Sequence, residues 1–77
     1  MPNISLNGEV RTIPANSSVE QLVASLEAEA KEAGTRGLDR RALAVEVNRV
    51  IVPRSTYRAH ALTEGDEIEI VTIVGGG

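Results

Sequence analysis

The chain has 77 residues, a net charge of −3 and 42% hydrophobic residues, the size of one small domain whose single core is only just sufficient. It contains no Cys, Phe or Trp and one aromatic residue, Tyr57, so disulfides, thiolate metal sites and thiol nucleophiles are excluded and the core must be Ile, Leu, Val and Ala. The basic residues are too scattered to neutralise phosphates, no apolar run approaches bilayer length, and Met1-Pro2-Asn3-Ile4 has no signal-peptide character, so the expectation is a cytoplasmic protein without nucleic-acid or membrane partners.

Ile4 and Leu6 alternate with Asn3, Ser5 and Asn7, the period of a half-buried strand. Asn7-Gly8 supplies the positive backbone angles of a tight hairpin turn. A second strand then carries Val10 and Thr12 in alternation with Glu9, Arg11 and Ile13, until Pro14-Ala15-Asn16 breaks it. Ser17-Ser18-Val19-Glu20 has capping-box spacing, with Ser17 and Glu20 as the reciprocal pair. Val19, Leu22, Val23 and Leu26, continued by Ala30, share one helical face, while Glu27, Lys31 and Glu32 lie towards water. Gly34 is the expected helix stop.

Thr35 to Arg41 is polar and reads as a loop. Leu43, Val45 and Val47 alternate with Ala44, Glu46 and Asn48 in a third strand. Asn48-Arg49 turns the chain into a short Val50-Ile51-Val52 strand, which Pro53 ends because it cannot donate to a ladder. Arg54 to Leu62 is irregular, with one helical turn around Ser55 to Arg58. Glu64-Gly65-Asp66 is a turn, and Glu67 to Val74 is the last strand. This order of elements predicts one domain over 1–77, an α+β fold with a mixed sheet covered on one face by the helix, and a tail from about 74 to 77.

Candidate catalytic groups are few. His60 has no second His or any Cys to complete a metal set, so it reads as a loop histidine. Glu27, Glu29, Glu32 and Asp39 read as a solvated face, and Ser17 and Ser18 as helix caps. No acid, base and nucleophile converge, which predicts a protein that is not an enzyme. In the last strand the alternation changes character. Ile68 and Ile70 share one face, whereas Val71 and Ile73 occupy the face that Glu67 and Glu69 hold earlier. That pattern puts either a small apolar docking patch or residues packed under the 54–62 loop just before Gly75-Gly76-Gly77. The glycines lack a Cβ, and five extended residues reach at most ~18 Å, enough to enter a partner's cleft.

Taken in order, several of these residues resemble one family. They are Asn7-Gly8, Ser18-Val19 with the helix leucines, Ala44-Val45-Glu46-Val47-Asn48 and Val52-Pro53-Arg54. Gly65-Asp66, Ile68-Glu69-Ile70-Val71 and Val74-Gly75-Gly76-Gly77 complete the series. The likeness is to the thiamine-biosynthesis sulfur carriers (ThiS) of the ubiquitin-like β-grasp group, and it covers most of the chain. The resemblance implies a four- to five-stranded mixed sheet on one main helix. It also implies that the chain binds no cofactor itself. An E1-like adenylyltransferase would join the Gly77 carboxylate to AMP from ATP. A sulfur donor, a cysteine desulfurase or similar, would convert it to a thiocarboxylate, and thiazole synthase would receive the sulfur. By position Gly77 is the modified residue and Gly75 and Gly76 thread the partner's active-site channel. Alternation together with the likeness assigns docking to Val71, Ile73 and Val74.

One departure is Glu27 to Arg36, longer and more charged than the compact carriers have, which bears on partner fit. The small subunit of molybdopterin synthase is the nearest alternative. Those chains resemble a proline-containing approach to the di-glycine, whereas this one reads Ile70-Val71-Thr72-Ile73-Val74. Other sulfur carriers and a ubiquitin-like protein modifier also remain open, since each use begins with adenylation of the same glycine.

Overall fold

Asn7 and Gly8, at φ 50° and 87°, make the two-residue turn that joins β1 (Asn3–Leu6) to β2 (Glu9–Thr12). Both angles are positive, the backbone twist an antiparallel hairpin needs and one that Asn and Gly adopt at low cost. The computed structural model describes residues 1–34 and 40–72. Within them, α1 (Val19–Glu32) follows, then β3 (Leu43–Val47), β4 (Val50–Val52) and β5 (Glu67–Thr72). The sheet order is β2-β1-β5-β3-β4. Only the β1–β5 pairing is parallel, and the long connection through α1 and β3 makes it so.

The helix starts one residue later than the serine spacing suggests. Ser18, not Ser17, is the N-cap: its Oγ accepts from the Gln21 N–H at 3.3 Å, and Gln21 Oε1 accepts from the Ser18 N–H at 2.8 Å. Ser17 is buried, and its hydroxyl donates to the Pro14 carbonyl at 2.6 Å. Two further free N–H groups of the first turn find carbonyls in the distant 54–62 segment. Val19 donates to His60 at 2.9 Å and Glu20 to Tyr57 at 3.1 Å. At the other end Gly34, at φ 73°, closes the helix, its N–H on the Lys31 carbonyl at 3.2 Å.

One face of the sheet and one face of α1 share a core. Ile4, Leu43, Val45, Val47 and Ile68 from the strands join Val19, Leu22 and Val23 from the helix, with Leu26 and Ile70 partly buried against them. Tyr57, the one aromatic side chain, is 2% exposed and closes this core from the 54–62 segment. Burial pushes its phenol above the ordinary tyrosine range. That segment opens as a short 3₁₀ helix, Arg54–Thr56, slightly earlier than the turn expected at Ser55 to Arg58. Part of the expected 35–41 loop is likewise helical: Arg40–Ala42 forms a 3₁₀ turn.

The acidic helix face is not simply solvated. Arg40 donates to Glu27 at 2.6 and 3.2 Å and to both carboxylate oxygens of Glu20 at 2.9 Å. Arg11, on β2, forms an ion pair with Glu29. Hydrogen bonding to Glu27 and then Glu20 raises the Arg40 pKa, and Arg11 holds the Glu29 carboxyl below its ordinary value. Both arginines come from elements distant in sequence, and they fasten the helix to the sheet edge and to the start of β3. Asp39 lies outside the described residues.

Candidate functional site

The position of the last strand decides what the end of the chain can do. β5 lies between β1 and β3, and its start is pinned on both sides. Ser5 and Asn7 donate to Asp66 and Ile68 at 2.9 Å, while the Asn48 N–H donates to Glu67 at 2.7 Å. Asn48, at φ 52° in the β3–β4 turn, also accepts from the Glu67 N–H at 3.0 Å and donates to Asp66 Oδ1 at 3.1 Å. A polar turn residue thereby sets the register in which Val45 faces Ile70 and Leu43 faces Thr72.

That register separates the two faces of β5. Ile68, 1% exposed, lies in the core, and Val71, 47% exposed, lies on the opposite face. Val71 is therefore not packed beneath the 54–62 segment. It stands across from Ala44, and Ile51, 66% exposed, stands across from Glu46 on the same face. Glu46 is also opposite Glu69. The open face over β3, β4 and β5 thus combines apolar side chains with carboxylates, and Val71 is its member nearest the end of the strand. Ile73, Val74, Gly75, Gly76 and Gly77 lie outside the described residues, so of the expected site only Val71 is placed.

Other candidate chemistry does not assemble among the described residues. Among the described residues no three His, Cys, Asp or Glu side chains gather as a metal set, and every buried polar side-chain atom has a partner. His60 takes part through its backbone, accepting from Val19 and donating to Thr56. An open cleft of about 390 Å³ lies between β2, the Pro14–Ser17 turn and α1, with Ile13, Gln21, Leu22 and Ser25 in its wall. The cleft is on the opposite side of the sheet from Val71. Its polar groups include Gln21 and Arg11, which are already engaged by the helix cap and by Glu29. Sequence periodicity does not reveal this cleft, because it depends on the angle at which the Pro14–Ser17 turn sets α1 against β2.

Comparison with known proteins gives this arrangement a family. Residues 4–77 match the ThiS family. The chain is 42% identical over 72 residues, 94% of its length, to a thiazole synthase of Paramagnetospirillum magneticum. It is 38% identical over 74 residues to a thiazole synthase of Magnetococcus marinus. The match spans 19% and 20% of those two proteins, so the chain covers about a fifth of the curated relatives' length. Among solved structures, the thiamine biosynthesis protein ThiS of Geobacter metallireducens superposes with a TM-score of 0.76 at 23% identity, over 97% of this chain and 99% of that one. At that identity the likeness shows the fold, a ubiquitin-like β-grasp.

Proposed function

The chain belongs to the ThiS family, and from that premise we propose that it is a sulfur carrier of thiamine biosynthesis whose reactive group is the Gly77 carboxylate. The observation that carries this reading is the family match itself, which runs to residue 77 and so includes the three glycines. The exposure of Val71 supports it, since an apolar side chain half in water beside the strand's exit suits a docking contact.

In this reading Gly77 is the free C-terminal residue of the working protein. A carboxylate resists nucleophiles until it gains a good leaving group. An E1-like partner supplies one: the Gly77 carboxylate oxygen attacks the α-phosphorus of ATP, pyrophosphate departs, and an acyl-adenylate forms. A sulfide equivalent from the sulfur donor then attacks the acyl carbon, the C–O bond to AMP breaks, and a thiocarboxylate remains. Gly75 and Gly76 thread the partner's channel, where side chains would clash. Val71, Ile73 and Val74 dock the body of the carrier. Thiazole synthase receives the sulfur, and the two relatives bearing that name support this choice of acceptor.

Those relatives also favour a second arrangement. They are about five times as long as the region they share with this chain, which fits a carrier domain and a synthase domain on one polypeptide. In that case docking becomes intramolecular and the effective concentration of acceptor rises, but the adenylation chemistry requires a free Gly77 carboxylate, which a peptide bond to a following domain would remove.

Pyrophosphate exchange tests the first step. With an E1-like adenylyltransferase, ATP and labelled pyrophosphate, the full chain is expected to drive label into ATP, and a chain lacking Gly77 is not. Equal exchange by both chains would overturn the assignment of Gly77.

A further inference from the structure

β2 forms one edge of the sheet, at the end opposite β4. The Ile13 N–H donates to the Pro2 carbonyl at 3.0 Å, and Ser5 and Asn7 turn their N–H groups towards β5. Alternation along the hairpin then makes Ile4–Arg11 and Leu6–Glu9 the hydrogen-bonded pairs. The backbone N–H and C=O groups of Val10 and Thr12 consequently point outward, away from β1. Val10 is 80% exposed. A cleft flanks the same edge on the helix side.

We propose that this edge pairs with itself: two copies of the chain associate weakly through antiparallel β2 strands, Val10 against Val10 of the second copy. Two twofold registers use the outward groups. One centres on Arg11 and sets the two Arg11 guanidinium groups directly opposite each other. The other centres on Val10. There the two Val10 residues exchange both backbone hydrogen bonds, Thr12 faces Gly8, and Glu9 stands opposite Arg11 twice over. Unlike charges directly across an antiparallel pair stabilise it, and like charges oppose it. Charge therefore selects the Val10 register.

Local geometry accommodates that register. Glu9 and Arg11 lie on the helix-facing side of β2, because their partners Leu6 and Ile4 do. Arg11 already holds Glu29, so Glu9 of the second copy places it between two carboxylates. Arg40 makes the same arrangement within one chain, between Glu20 and Glu27. At Gly8, opposite Thr12 of the second copy, a built Cβ meets nothing within 4 Å. The strand is four residues long, so the interface falls well below the ~1,200 Å² of stable complexes and the association belongs to high protein concentration. β2 is separated from β5 by β1, so pairing leaves Val71 uncovered and does not depend on the sulfur-carrier reading.

Sedimentation equilibrium of the full chain over a concentration series into the millimolar range tests this. At low salt the weight-average mass is expected to rise from 8.2 kDa towards twice that value. Val10→Pro removes an outward donor without touching the β1–β2 ladder, a position where an edge strand tolerates proline. It is expected to remain monomeric with its circular dichroism unchanged. Glu9→Lys, at an exposed position, is expected to weaken association at least several-fold even if the proline variant misfolds. A monomer mass throughout the series would overturn the proposal, as would dimerisation of Glu9→Lys equal to that of the wild type. Protection of the Val10 and Thr12 amides that appears only with another protein would assign the edge to a foreign strand and overturn it equally.

Discussion

Val71 and Ile68 stand three residues apart on β5 and face opposite sides, which makes them a matched pair for testing what the open face does. Ile68 is 1% exposed and Val71 is 47% exposed. Each buried methyl or methylene is worth about 0.8 kcal/mol, so Val71→Ala, which removes two methyl groups from a side chain half in water, costs about 0.8 kcal/mol. Ile68→Ala removes three such groups from a sealed site and leaves a cavity, so it costs about 3–4 kcal/mol. A domain of this length has about 4–12 kcal/mol in total. The corresponding losses in melting temperature are about 3–6 °C for Val71→Ala and more than about 12 °C for Ile68→Ala. Urea denaturation followed by circular dichroism measures the free-energy losses, and thermal denaturation the shifts in melting temperature. The same Val71→Ala protein, assayed as substrate of the adenylyltransferase, should show KM raised about fivefold with kcat unchanged, because a docking contact is made equally in ground and transition states. A stability loss above about 2 kcal/mol would mean that Val71 is part of the core. A normal stability with a normal KM would mean that the open face is not the docking surface.

Further expectations concern the helix and its ion pairs. Ser18→Ala should cost about 1 kcal/mol by removing the N-cap, and a chemical denaturation curve superimposable on that of the wild type would contradict the observed capping box. Arg40→Met should cost about 1 kcal/mol, since a half-exposed cation bridging two carboxylates acts as a small network, and the difference from wild type should shrink in high salt. Acid sensitivity follows from Glu29. Its pKa is lowered in the fold by Arg11, so its contribution is present above the ordinary value of 4.5 and is lost as pH falls through the lower folded value. Arg11→Met should therefore flatten the stability profile in that acid window, as read by melting temperature against pH. Tyr57 acts in the opposite sense. Its pKa is raised by burial above 10.0, so stability is full below that value and declines as pH climbs through the folded one, with tyrosinate absorbance appearing as the chain unfolds.

Local signals were easily legible in the residues themselves. Asn7-Gly8 announced the hairpin, Val19-Leu22-Val23-Leu26 the buried helix face, and the shift from Glu69 to Val71 the change from charged to apolar along the open face of β5. Each is a pattern of neighbours within one element, where side-chain period and backbone angle suffice. The misreadings all required knowledge of what lies across space. Ser17 and Glu20 have the spacing of a capping box, but the fold gives the cap to Ser18 and Gln21, and the Ser17 hydroxyl donates to the Pro14 carbonyl. Glu27 and Glu29 looked solvated because Arg40 and Arg11 reach them from 13 and 18 residues away. Asn48 is the turn residue its sequence suggests, but its clamp on Asp66 and Glu67 depends on where β5 starts. The outward edge of β2 was invisible for the same reason, since a strand's neighbours are not written in its own alternation.

In the proposed function a sulfur atom comes to reside on Gly77. Intact mass spectrometry of the full chain, after incubation with an E1-like adenylyltransferase, ATP and a sulfide source, addresses it most directly. The expected result is a mass gain equal to the exchange of one oxygen for sulfur, localised by fragmentation to Gly77 and dependent on ATP. An unchanged mass with an enzyme proven competent on another carrier would contradict it, and so would sulfur located anywhere but Gly77.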